Sequence, residues 1–170
     1  QWVTSSHVEA LDVSNPSAIT TIGSIEVPGH LADSRMVGSV LYTVSFENGY
    51  CWGCASTPRT TVSSFDASNP SSFQLLDQLA VAYEGYDWGW SRSISVTPQR
   101  IYIGGTESEQ GSSIHVVDIS DPGGSIAEGT ILDVAGRIQN RWQMDEHQGV
   151  LRDISQPWDP TVNPSIQTFA

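Results

Sequence analysis

One five-residue phrase occurs three times in the chain and constrains its fold more than any other feature. It reads Asp12-Val13-Ser14-Asn15-Pro16, Asp66-Ala67-Ser68-Asn69-Pro70 and Asp118-Ile119-Ser120-Asp121-Pro122, at intervals of 54 and 52 residues. An alternating run precedes each phrase (Val8 to Leu11, Val62 to Phe65, Ile114 to Val117), and a second run follows it (Ile22 to Val27, Leu75 to Val81, Ile131 to Val134). Proline fixes its own φ and holds the preceding residue extended, so Ser-Asn-Pro or Ser-Asp-Pro between two such runs reads as a turn joining two strands. The phrase Asp can accept hydrogen bonds from turn N–H groups, and the Ser two residues on can do likewise. Asp12, Ser14, Pro16, Asp66, Ser68, Pro70, Asp118, Ser120 and Pro122 are therefore read as turn-building residues. Self-similarity at this period marks a repeat architecture.

Alignment on the phrase extends the repeat to a four-strand cycle, with strand c before the phrase and d after it. Beyond d comes a glycine (Gly29, Gly85, Gly136), then a strand a: Ser34 to Val37, Ser91 to Val96, Arg141 to Met144. Short turns at 37–39, 97–99 and 147–149 lead to a strand b: Val40 to Val44, Arg100 to Ile103, Val150 to Ile154. The b–c connections are longer and unlike one another, from about 45 to 60, 104 to 112 and 155 to 164. Ser165 to Ala170 reads as one more strand c. Residues 1–170 are thus expected to hold strands c and d of one unit (6–28), two whole units (34–82 and 91–135), and strands a and b of a fourth (141–155) with a partial strand c (165–170). Four-stranded antiparallel units at this spacing have the form of β-propeller blades, so the expected class is all-β with about three blades' worth of strands.

Composition narrows the function. The net charge is −12 and all seven basic residues are Arg, a field that repels phosphate backbones and argues against nucleic acid. No apolar run approaches the roughly 20 residues a membrane helix needs, so membrane insertion is not expected. The two cysteines form Cys51-Trp52-Gly53-Cys54 in a Gly-rich loop. A redox pair would sit at the start of a helix, and a zinc site would need a second ligand pair. A short disulfide in an oxidising compartment is the favoured reading, ahead of free thiols. No cofactor is expected. Scattered Asp could hold calcium, but no Asp-x-Asp-x-Asp-Gly loop is present.

The phrase itself, the run Gly29-His30-Leu31-Ala32-Asp33-Ser34-Arg35, and the stretch Trp142 to Arg152 resemble the secreted bacterial β-propeller domain family distantly related to WD-repeats. The resemblance covers nearly the whole chain, although the Trp-Asp dipeptide of true WD-repeats is absent. It implies that the d–a and b–c loops share one face and that strand a lines a central channel. It also implies a secreted, periplasmic or cell-surface setting in a bacterium. A closed propeller has 4–8 blades, so the remainder is expected from the same polypeptide or from other chains, the former being favoured.

On that plan the unusual side chains gather at one face. Tyr86, Asp87, Trp88 and Trp90 fall in a d–a loop, with Trp52, Cys51 and Cys54 in a b–c loop. Aromatic rings beside acidic groups suit stacking on sugars or gripping a peptide, although rings also pack between blades. Arg35, Arg92 and Arg141 lie 23, 26 and 23 residues after their phrase Asp, and so look like equivalent positions at strand a. Either they pair with acids such as Asp33 or Asp87, or they form an anion-coordinating ring at the channel mouth. No Gly-x-Ser-x-Gly elbow or His-x-x-x-His pair is present, and Asp145-Glu146-His147 is read as a solvated a–b turn. The expected function is a non-catalytic binding or scaffold module presenting a loop face to a protein or glycan. The alternatives are a propeller hydrolase or lyase acting on polysaccharide, and a structural element of a surface assembly.

Overall fold

The computed structural model describes residues 5–47, 59–82, 93–106, 112–157 and 159–170. Among them are thirteen strands, one 3-10 turn and no α-helix. The strands form four antiparallel sheets taken in chain order. Sheet I pairs β1 (Ser5–Asp12) with β2 (Thr20–Pro28). Sheet II runs β3 (His30–Val37), β4 (Val40–Glu47), β5 (Arg59–Asp66), β6 (Gln74–Ala82). Sheet III runs β7 (Ser93–Val96), β8 (Arg100–Thr106), β9 (Ser112–Asp118), β10 (Ala127–Val134). Sheet IV holds β11 (Met144–His147), β12 (Val150–Ser155) and β13 (Ser165–Phe169).

Alternation along each strand sends one set of side chains to the preceding sheet and the other to the following one, so both faces of an inner sheet are buried. Val27, Leu41 and Phe65 fill the space between sheets I and II. Val40, Tyr42, Val44 and Val62 of sheet II meet Ile101, Ile103, Val117 and Ile119 of sheet III. Tyr102, Ile114 and Val134 of sheet III meet Met144 and Leu151 of sheet IV. The core is therefore a series of layers between sheets.

Three local expectations are corrected. Arg141–Gln143 is a 3-10 turn and the strand starts only at Met144, because Asn140 caps the turn: its Oδ1 accepts from Trp142 N–H at 3.0 Å. Asp145, Glu146 and His147 then lie on β11, not in a turn. The reversal is Gln148-Gly149 alone, both at positive φ (53° and 79°), the two-residue hairpin geometry that matches strand twist. In sheet III, β8 continues to Thr106, past the expected end at Ile103, and keeps pairing with β9 as far as Ser112.

Candidate functional site

The repeated phrase builds the same turn each time. Asp12, Asp66 and Asp118 each accept through Oδ1 from the Ser N–H two residues on, at 2.9, 2.9 and 2.8 Å. Asn15, Asn69 and Asp121 repeat the device onto Ser17, Ser71 and Gly123. These N–H groups, with the Ser side chains, hold the carboxyls of Asp12, Asp66 and Asp118 below the usual carboxylate range. Pro16, Pro70 and Pro122 follow the second acceptor in each turn.

The turns also dock each sheet on the one before. A methyl group on Gly23 of β2 would stand 2.1 Å from the Pro70 carbonyl oxygen, so only glycine lets the sheet II turn approach sheet I so closely. In sheet III, Gly124 O accepts from Ser64 Oγ of β5 at 2.6 Å, and Ile126 N–H donates to Asp77 Oδ2 of β6 at 2.8 Å. The turn residues serve packing.

Where the inner strands converge, Ala32 and Asp33 of β3, Ser93 and Ile94 of β7, and Gln139, Asn140 and Arg141 beside the 3-10 turn line a cavity of about 270 Å³. Its charged centre is Asp33. Oδ1 accepts from Arg35 Nη1 at 2.6 Å and from Ser34 N–H at 2.8 Å, while Oδ2 lies 3.3 Å from Arg141 Nη1. Asp33 is mostly buried and both guanidinium groups are partly exposed. Arg35 and Arg141 thus meet at one carboxylate, but not as register equivalents. Arg35 pairs with Tyr42, and Tyr102 on β8 occupies the same place opposite Ser95, while Asp145 stands opposite Arg152. Counting from the phrase missed this because the d–a segments differ in length: the matching positions Arg35, Ser95 and Asp145 lie 23, 29 and 27 residues after the phrase Asp.

Sequence reasoning also passed over Trp142, which it placed inside a strand. The residue is 82% exposed, and the Arg141 guanidinium carbon lies 4.9 Å from its ring centroid. Gln143 fixes the turn: its Oε1 accepts from Gln139 and Asn140 N–H, and its Nε2 donates to Ile154 O at 2.6 Å. The signal that could have found the turn is Asn140 followed three residues later by Gln143. An exposed indole, a guanidinium over it and planar amides nearby offer stacking and directional hydrogen bonds to a ligand in the cavity.

The remaining chemical groups are structural. Tyr102 Oη donates to Glu146 Oε2 at 2.5 Å, with Arg100 Nη1 3.6 Å from Oε1, tying sheet III to IV. Burial and the Glu146 contact push the Tyr102 phenol up to about 12. Asp153 is fully buried with neither oxygen in hydrogen-bonding geometry, and burial, the dominant effect, raises its carboxyl above the usual range. Among the described residues no group of three or more His, Cys, Asp or Glu side chains is arranged to hold a metal ion. Cys51, Trp52, Cys54, Tyr86, Asp87, Trp88, Trp90 and Arg92 lie outside the described residues.

Comparison with known proteins adds one match: a model of the Beta propeller domain family covers residues 51–167. Searches of curated proteins and of solved structures returned no match. Successive antiparallel sheets stacked face to face, with the phrase turns of sheets II and III each lying on the sheet before, agree with that match, and the chain belongs to the Beta propeller domain family.

Proposed function

We propose that this propeller chain is a non-catalytic binding module that takes a glycan, and secondarily a peptide, at the cavity between β3, β7 and the Arg141–Gln143 turn. The observation that carries the reading is Trp142, 82% exposed on a capped turn whose neighbours Asn140 and Arg141 line a polar cavity. A sugar ring stacks on such a face, and its hydroxyls or a carboxylate pair with Arg and Asn in fixed geometry. Asp33 is engaged by two arginines and Asp153 is sealed in the core, so neither is placed as a general acid beside the cavity. A secreted or cell-envelope location in a bacterium, with Cys51 and Cys54 joined, belongs to the same proposal. So do Trp52, Tyr86, Asp87, Trp88 and Trp90 as ligand-binding residues. Among the described residues no helix is long and apolar enough to cross a membrane.

The test is a titration of neutral and uronic-acid oligosaccharides and short peptides against intrinsic tryptophan fluorescence. Saturable quenching lost in Trp142→Ala supports the reading. Equal binding by wild type and Trp142→Ala would contradict it, as would turnover of a polysaccharide.

A further inference from the structure

Among the described residues, the polar side chains that line the β3–β7 cavity are committed within the chain, Gln139 and Arg141 apart. Asn140 Oδ1 accepts from Trp142 N–H at 3.0 Å, and its Nδ2 donates to Gln143 Oε1 at 3.3 Å. Ser93 Oγ donates to Ile138 O at 3.4 Å. Asp33 is spent as well: Oδ1 accepts from Ser34 N–H and Arg35 Nη1, and Oδ2 faces Arg141 Nη1. Arg141 is not spent. A guanidinium carries five N–H donors in a planar fork, and Arg141 turns a single nitrogen toward a single oxygen of Asp33, at 3.3 Å. Its side chain is partly exposed where it lines the cavity, and stacking over the Trp142 ring holds the guanidinium in place.

Charge points the same way. Arg35 and Arg141 face one carboxylate, which leaves one positive charge at the cavity of a chain whose net charge is −12. We infer that the ligand of this cavity is a carboxylate-bearing sugar, and that Arg141 takes the carboxylate through the N–H groups Asp33 leaves free. A planar carboxylate matches the guanidinium fork two N–H groups at a time. It also brings the one negative charge that the site lacks. A phosphate ester would bring nearly two, beside Asp33 and in an acidic field, and fits less well. The cavity, about 270 Å³, is small for a ligand site and suits a single acidic sugar residue. This inference rests on the ligand reading above and narrows it to an anionic class.

The test is calorimetric titration of the full chain with a galacturonic acid trimer and with the methyl ester of the same trimer, which removes the charge and keeps the sugar rings. Wild type is expected to bind the acid about tenfold more tightly than the ester, as a charge-assisted pair against a neutral one. Arg141→Gln keeps a planar amide without the charge and is expected to bring the acid down to the level of the ester, with cooperative unfolding showing that the variant folds. Trp142→Ala is expected to lose both trimers. Equal binding of acid and ester by wild type, with both lost in Trp142→Ala, would overturn this inference and leave the ligand reading standing; that comparison needs no Arg141 variant. A preference for the acid that survives in Arg141→Gln would overturn the role given to Arg141. Failure of wild type to bind either trimer would count against the ligand reading itself, and this inference would fall with it.

Discussion

Arg141 Nη1 lies 3.3 Å from Asp33 Oδ2, so a turn leading into sheet IV is tied to the first strand of sheet II across the end of sheet III. Asp33 holds Arg35 as well, and the two ion pairs differ in what they contribute.

Removal of Arg141 leaves Asp33 with Arg35 and the Ser34 N–H, so Arg141→Ala is expected to cost less than about 1 kcal/mol, as for a partly exposed pair. Removal of Asp33 strands two guanidinium groups beside the cavity, and Asp33→Ala is expected to cost about 1–3 kcal/mol. Urea unfolding checks both. Under the binding proposal, Arg141→Ala weakens the ligand despite its near-normal stability. A large loss of stability in Arg141→Ala would make its role architectural.

Tyr102 predicts an alkaline limb. Burial, with the Glu146 contact, raises its folded pKa to about 12, above the ordinary phenol value of about 10. The folded chain therefore keeps a proton that the unfolded chain releases, and stability falls as pH rises above 10 toward 12. Tyr102→Phe loses the hydrogen bond to Glu146 and is expected to cost about 1 kcal/mol near neutrality, with a shallower alkaline decline. Tyr42, also raised by burial and by Asp121, retains part of that decline. Unfolding curves across this pH range provide the check.

Asp153 predicts a stabilising substitution. The equivalent position in sheet II is Thr43, and in sheet III Ile103. Asp153→Thr removes a buried carboxylate with no hydrogen-bond partner and is expected to gain about 1–3 kcal/mol near neutral pH. Because the folded pKa is raised, the wild-type penalty grows as pH climbs through that value, and the gain shrinks in acid. The phrase carboxylates act in the opposite sense, with lowered pKa values whose stabilisation is lost as pH falls through them. Comparing the two proteins by melting temperature at acid and neutral pH separates these trends.

Gly23 predicts a steric one. Gly23→Ala drives a methyl group into the Pro70 carbonyl and is expected to cost about 1–3 kcal/mol, as overpacking does. Gly38→Ala places its methyl group in open space, so its cost comes from backbone strain at a φ of +60° rather than from packing. Chemical denaturation of the two variants tests whether the turn of one sheet rests on the sheet before it.

The repeat was legible because the phrase carries its own physics: an Asx acceptor, a Ser donor and a proline fix a turn wherever they fall. Strand c at Ser165–Phe169 and the b strands followed from aligning the chain on that phrase. What counting could not show was register. The a–b hairpins all pair residues seven apart, but the segment from the end of d to the matching position of strand a varies, so that position lies 23 residues after the phrase Asp at Arg35 and 29 at Ser95, rather than at position 92. Nor could alternation reveal that Asn140 and Gln143 would cap a turn and turn Trp142 outward, since Arg-Trp-Gln-Met also alternates. Glu146 looked solvated until β11 brought it under Tyr102. Its partner lies 44 residues away in sequence, beyond the reach of any local pattern.

The phrase turns of sheets II and III lie on the sheet before them, and through-space NMR contacts test this most directly. The account predicts strong cross-peaks between Gly23 Hα and Ser71 Hα, and between Gly124 Hα and a Leu76 δ-methyl, because a Cβ built on these glycines lies 3.2 Å from Ser71 Cα and 2.6 Å from Leu76 Cδ1. Absence of both, in a spectrum where contacts within β1–β2 and β5–β6 are present, would contradict the stacking of the sheets.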